Sequence, residues 1–175
     1  AVSLKNGSSI TGTGGTLTGS SYAMENGSVS AKLGGTGIAL TKTTADTVTL
    51  TGANTYTGAT HITGSAVVSF NNIGAFGSTS GFLLNGGTLN YSEIGTASAA
   101  LTQHITLGGN NGIIRVSDAG STLVIRGAAN QISSETNNII AAYGTNNPNA
   151  GGLQIVGPGT VQFGDRSGFF NSTTE

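Results

Sequence analysis

The chain has no cysteine, so neither disulfides nor thiolate chemistry can contribute to its stability or function. Charge is nearly as scarce: charged residues are 7% of 175, against about 25% in an average soluble domain. The six basic residues, Lys5, Lys32, Lys42, Arg115, Arg126 and Arg166, form no cluster, and the formal net charge is −1. Neither the basic footprint of a nucleic-acid binder nor a polybasic membrane patch is present, so no nucleic-acid partner is expected. There is no apolar run of about 18 residues, so no membrane-spanning segment is expected, and the opening AVSLKNGSSI lacks the basic-then-apolar order of a signal peptide. No window shows helical periodicity, which excludes a helical fold.

What the chain does have is 30 glycines, abundant threonine and serine, and evenly spread apolar residues amounting to 36%. A disordered linker would lack that apolar content. Glycine at this level without a collagen period, beside alternating Val, Ile, Leu and Thr, predicts many short strands joined by tight turns. Period-2 runs appear at Ile38–Leu40, Val48–Leu50 and Val67–Phe70, with Ile62 between them. They continue at Phe82–Leu84, Thr88–Tyr91, His104–Leu107, Ile113–Ser117, Thr122–Arg126, Leu153–Val156 and Thr160–Phe163. In such runs alternate side chains point to opposite faces, so Val48 and Leu50 face a core while Thr47, Thr49 and Thr51 face out. Asn-Gly and Gly-Gly pairs, as at 6–7, 14–15, 26–27, 34–35 and 86–87, separate the runs and accept the positive φ of tight turns. Residues 1–175 read as one domain, with a loop excursion around 134–152 that carries asparagines 137, 138, 146, 147 and 149.

The stretch Gly35–Phe70 returns, altered, near the C-terminus at a constant offset of 113 residues. Leu40, Thr47, Val48, Leu50, Tyr56 and Thr60 fall on Leu153, Thr160, Val161, Phe163, Phe169 and Thr173. An ungapped internal repeat points to a solenoid, in which each unit buries its apolar face on the next. An antiparallel sandwich or barrel is the alternative that strands this short also allow. At about 20 residues per coil, the solenoid reading predicts about eight or nine coils and a rod about 40 Å long.

The string Leu40-Thr41-Lys42, then Thr47–Gly52, then Ala53-Asn54-Thr55-Tyr56-Thr57-Gly58-Ala59-Thr60 resembles the autotransporter-associated β-strand repeat of bacterial passenger regions and large secreted surface proteins. The segments Ser21–Gly35, Leu84–Leu89 and Ile105–Gly109 resemble its flanks, and Asn54–Gly58 is the most specific part. The resemblance implies an all-β chain folded as a right-handed parallel β-helix, or β-solenoid. It also implies export to the extracellular space or the bacterial cell surface, and a structural or adhesive role. The chain departs from the family where Thr43-Thr44-Ala45-Asp46 replaces the usual glycine pair, and where Ser167–Asn171 replaces the Asn-Thr-Tyr-Thr-Gly string in the second copy.

Chemistry is sought first among the acids. Hydrolysis on a β-helix needs carboxylates converging on one face, and Glu25, Asp46, Glu93, Asp118, Glu135, Asp165 and Glu175 are widely spaced. They read as turn and surface residues. His61 and His104 have no ligand-spaced partner and read as outer-face residues of strands. Gly164-Asp165-Arg166-Ser167-Gly168 only faintly resembles a nucleophile loop, and the repeated Gly-Gly-x-Gly-x-Asp of calcium β-rolls is missing. Tyr22, Tyr56, Tyr91, Tyr143, Phe70, Phe76, Phe82, Phe163, Phe169 and Phe170 read as stacked core aromatics before they read as a sugar platform. The expectation is therefore a non-enzymatic stalk or adhesin with no catalytic, metal or cofactor residues. Its partners would be flanking coils, of the same chain or of neighbouring subunits end to end, or a host or abiotic surface. The alternatives are a self-assembling filament subunit and an ice- or glycan-binding module built on outward threonines.

Overall fold

The structure, a computed structural model, describes residues 1–126, 132–134 and 152–164. Short strands, rarely longer than four residues, follow one another around a common core. Level 1 consists of β1 (Val2–Leu4), β2 (Ser8–Ile10) and β3 (Thr16–Thr18); level 2 of β4 (Tyr22–Met24), β5 (Gly27–Val29) and β6 (Lys32–Gly34). Level 3 has β7 (Leu40–Lys42) and β8 (Thr47–Leu50). Level 4 has β9 (Thr60–Thr63), β10 (Val67–Phe70) and a one-turn 3-10 helix, Ile73–Phe76. Level 5 is β11 (Phe82–Asn85), β12 (Thr88–Tyr91) and β13 (Ser98–Leu101); level 6 is β14 (Ile105–Leu107), β15 (Gly112–Val116) and β16 (Thr122–Ile125). Level 7 is β17 (Ile132–Ser134), β18 (Leu153–Val156) and β19 (Thr160–Phe163).

Every paired strand runs parallel to its neighbours in the levels above and below. The first sheet is β1-β4-β7-β9-β11-β14-β17 and the second is β2-β5-β8-β10-β12-β15-β18. The third side is formed by β3-β6 at one end and β13-β16-β19 at the other. The described residues form an all-β parallel β-solenoid of six turns from level 1 to level 7. At the usual strand spacing, six turns span about 29 Å. The expected eight or nine coils are too many because the coils lengthen. On the first sheet, the register Val2↔Tyr22, Tyr22↔Leu40, Leu40↔Thr60, Thr60↔Phe82, Phe82↔Ile105 and Ile105↔Ile132 gives steps of 20, 18, 20, 22, 23 and 27 residues.

The internal repeat also needs correction. Leu40–Lys42 lies on the first sheet but Leu153–Val156 on the second, while Thr47–Leu50 lies on the second and Thr160–Phe163 on the third. The 113-residue offset thus pairs strand-turn-strand units that stand on different sides of the solenoid. The similarity is local, in the alternation and the turn. Which side a strand occupies is set by the length of every preceding coil. Tyr56, Thr60 and their counterparts cannot be compared in this way, since residues 169 and 173 lie outside the described residues. So does most of the excursion expected at 134–152.

The core follows from alternation. On the second sheet Val29, Leu50, Phe70, Tyr91 and Val116 stack in register, each at most 2% exposed. Val48, Val68, Leu89 and Ile114 form a parallel row with no exposure. Leu89 and Ile105 are buried as expected. In levels 4 and 5 the core widens to take rings: Phe76, brought in by the 3-10 helix, meets Phe70 and Phe82 edge-on at centroid distances of 4.8 Å, and Phe70 lies 5.3 Å from Tyr91. Edge-on rings add to their area burial. Leu50 sits between Val29 and Phe70, and its truncation leaves a cavity that stacked backbones cannot close. Leu50→Ala should cost about 2–5 kcal/mol, whereas Thr47→Ala, at an exposed position of the same strand, should change stability by less than about 0.5 kcal/mol. Urea unfolding of both variants measures the difference, and equal effects would show the facing of β8 to be wrong.

Candidate functional site

Asn54–Gly58, the most specific part of the family resemblance, lies on the third side of level 3, where no strand forms. Asn54 is 5% exposed and its amide spans three levels. Its Oδ1 accepts the Leu33 N–H of level 2 at 2.8 Å, and its Nδ2 donates to the Ala75 carbonyl of level 4. The backbone around it holds the same levels: Thr55 N–H donates to Leu33 O at 2.7 Å, and Asn54 N–H to Gly74 O at 2.9 Å. A strand would make these bonds from backbone alone. Here one side chain replaces the ladder.

Tyr56, fully buried, extends this link. Its hydroxyl is 2.8 Å from Thr60 Oγ1, which is 3.2 Å from Thr79 Oγ1, which donates to the Gly58 carbonyl at 2.7 Å. One level down, the Tyr22 hydroxyl lies 2.7 Å from Leu17 O and 2.5 Å from Gly34 O and accepts the Gly34 N–H at 3.1 Å. The two tyrosine rings are 6.1 Å apart. Gly58 must be glycine: a Cβ there would stand 2.4 Å from the Ile38 carbonyl carbon and oxygen. Burial raises the pKa of the Tyr56 hydroxyl well above the usual phenol range, with the Thr60 hydrogen bond opposing.

Lys42 is a core residue that the sequence reading passed over. It takes an inward position in register with Ile62 of level 4 and its side chain has no exposure. Its Nζ turns to the corner and donates to the Thr44 carbonyl and, at 2.8 Å, to Thr44 Oγ1, which donates to Glu25 O at 2.6 Å. Burial lowers the pKa of this amine, and the charges of Asp46 and Glu25 oppose that shift. The signal was available in the alternation, since Leu40 faces in and Lys42 shares its parity. Among the described residues no buried side-chain polar atom lacks a partner.

The expected surface residues divide between two corners. Glu25, paired with Lys5 at 3.0 Å, and the exposed Asp46 lie between the first and second sheets. Glu93 and Asp118 lie between the second sheet and the third side, where Asp118 Oδ1 accepts the N–H groups of Gly120 (3.0 Å) and Gly95 (3.2 Å). Glu135, Asp165 and Glu175 lie outside the described residues, as do Arg166, Ser167 and Gly168, Tyr143, Phe169 and Phe170, and asparagines 137, 138, 146, 147 and 149. The core reading of Tyr22, Tyr56, Tyr91, Phe70, Phe76 and Phe82 holds: all are buried, so none offers a face to a sugar. The column that begins at Thr47 continues as Val67, Thr88, Ile113 and Gln154, so threonine does not recur on successive levels.

His61 and His104, which sequence spacing left apart, line the same groove of about 360 Å³ on the outside of the first sheet. His61 projects from β9. His104 precedes β14 rather than lying on it, and its Nδ1 is 3.3 Å from Thr106 Oγ1. The register His61↔Leu83↔Thr106 puts His61 and His104 on backbones two levels apart, about 10 Å along the axis. They stand at opposite rims of the groove, and among the described residues no group of three or more His, Asp or Glu side chains gathers around them. Only folding could reveal this proximity, because 43 residues of chain separate them.

Comparisons with family models, with curated proteins and with solved structures find no match to this chain.

Two measurements test the three-level link. Asn54→Ala leaves the Leu33 N–H and Ala75 C=O buried without their partner, and should cost about 1–3 kcal/mol for each group; no loss in urea unfolding would show that water takes the place of the amide. Alkali acts through Tyr56. Its pKa is raised by folding, so the stability it contributes is complete below the unfolded tyrosine pKa of about 10 and is lost as pH rises beyond it. Tyr91, also raised by burial, adds in the same direction. Thermal melts from neutral to alkaline pH should fall above about pH 10, and less steeply for Tyr56→Phe.

Proposed function

We propose that this chain is a non-enzymatic β-solenoid segment of a bacterial extracellular or cell-surface protein, serving as a stalk or adhesive rod in the manner of an autotransporter passenger. The observation that carries the reading is the fate of Asn54–Gly58, the most specific part of the resemblance. Their polar groups are hydrogen bonded to the levels above and below. A motif used in this way maintains continuity along a rod. The groove with His61 and His104 is shallow and separate from it. Scarce charge suits the same role, since inter-level contact then rests on backbone pairing and stacked apolar rows, which salt does not screen.

Antibodies raised against the purified chain test this reading on intact bacterial cells that encode it. The expected result is labelling of unpermeabilised cells or of the medium, abolished by external protease. Labelling that requires lysis would overturn it.

A second reading, a filament subunit that stacks end to end, is favoured by one feature. Ile155 stands in register with the buried Ile114 yet is 45% exposed, and Val2, Ile10 and Leu17 of level 1 are only partly buried. The first and last described levels thus carry apolar side chains that a further level would cover. Electron microscopy at rising concentration distinguishes the two readings: regular unbranched fibres support the filament, and dispersed particles at every concentration support the stalk.

A further inference from the structure

Asparagine followed by glycine occurs four times, at 6–7, 26–27, 85–86 and 111–112. All four pairs sit at the corner between the first and second sheets. Such a pair can lose its side-chain amide. The glycine peptide nitrogen attacks the asparagine Cγ, the new C–N bond closes a succinimide ring, and ammonia leaves. Water then opens the ring at either carbonyl, giving aspartate or isoaspartate. The reaction needs a glycine N–H that is not held and a carboxamide free to swing onto it.

The solenoid withholds these conditions from three pairs. Gly86 N–H donates to Asn111 O at 2.8 Å and Asn110 O at 3.2 Å, while Asn85 Oδ1 accepts Asn110 N–H at 2.8 Å and Asn110 Nδ2 at 3.0 Å. Gly112 N–H donates to Gly152 O at 2.9 Å, and Asn111 Oδ1 accepts Gly152 N–H at 3.0 Å. In both pairs the attacking and the attacked groups are held. Gly27 lies within β5, paired with Ser8 on one side and Val48 on the other, so its peptide is fixed between two levels.

Asn6 and Gly7 differ in each respect. Both are exposed, and neither the Asn6 amide nor the Gly7 N–H has a hydrogen-bond partner among the described residues. Their turn is closed by a single bond, Ser8 N–H to Lys5 O at 3.1 Å. Asn6 has φ of +55°, the left-handed value that a non-glycine residue holds at a cost, and among the described residues it is the one non-glycine with positive φ. Opening the turn relieves that strain and lets the Gly7 nitrogen reach Cγ. We infer that Asn6 is the modification site of this chain, converting through a succinimide with Gly7 while the folded solenoid protects the other three Asn-Gly pairs. Isoaspartate there inserts an extra backbone atom between β1 and β2. The pairings Val2↔Tyr22 and Ser8↔Gly27 then cannot both be kept, and level 1 loosens. The new carboxylate also stands beside Lys5, in competition with Glu25.

Incubation of the folded chain at mildly alkaline pH, with peptide mapping by mass spectrometry and enzymatic detection of isoaspartate, tests the assignment. Asn6 should convert first, at least about tenfold faster than Asn85 or Asn111, because those react only through local opening of their levels. In denaturant the four pairs should converge to similar rates. Hydrogen exchange should rise across residues 1–18 of the isoaspartate fraction and stay unchanged in levels 4 to 6. Asn6→Asp, which adds the charge but no backbone atom, should leave exchange near its starting level. Conversion of Asn26, Asn85 or Asn111 as early as Asn6 in the folded chain would overturn the inference, as would an Asn6 that persists when the others react.

Discussion

Everything in this molecule depends on one constraint: a strand in one level must lie parallel to, and in register with, the strand beneath it. Backbone pairing at that spacing forces like parity onto like parity, so inward side chains stack on inward side chains over six turns. The row Val29, Leu50, Phe70, Tyr91 and Val116 expresses this rule, with each residue in register with the next along the row. Lys42 expresses it too. Placed in register with Ile62 by parity alone, it must enter the core, and its amine is accommodated only because the Thr44 carbonyl and hydroxyl receive it.

Where the constraint lapses, side chains take over the pairing. The third side of levels 3 and 4 has no strand, and there Asn54 joins Leu33 to Ala75 through one amide while Tyr56, Thr60 and Thr79 close the adjoining space. A carboxamide suits the position because it carries an acceptor and donors on one planar group. Alanine or leucine would fill the volume but would leave buried backbone groups without partners. The corners face the opposite demand, since consecutive backbones press together there, and Gly58 lies against the Ile38 carbonyl with no room for a Cβ. The high glycine content is in part this contact repeated along the rod.

The class of fold was legible because alternation is a local signal. Val48, Leu50, Leu89 and Ile105 could be assigned to the core from parity alone, and Thr47 to the surface. Coil number and side were not legible, because both accumulate over distance. A coil of 18 residues and one of 27 look alike strand by strand, yet each added residue shifts where the next strand falls. For that reason Leu40 and Leu153, matched in sequence, stand on different sheets. The groove shared by His61 and His104 was hidden for a related reason: it is assembled across levels, fixed by coil length and by no motif. Asn54–Gly58 was legible as a specific string, but its chemistry was not, because the groups it binds, Leu33 and Ala75, are both 21 residues away.

That spacing bears on how such a rod is stabilised. Nearly every stabilising contact joins residues about one coil apart, so each level is held chiefly by its immediate neighbours, as in other solenoids. Asn54 differs in the kind of contact: one side-chain amide binds level 2 and level 4 at once, and loss of either neighbour would strand one end of it. Levels 2 to 4 are thereby coupled more tightly than pairwise stacking alone would make them. Level 1 has the reverse character: its strands pair on one side, its apolar residues Val2, Ile10 and Leu17 are only partly covered, and its corner turn rests on a single backbone bond. Opening that starts in level 1 should meet its first substantial barrier where the Asn54 side chain spans the levels, which makes the rod's resistance a property of particular residues and not of its length.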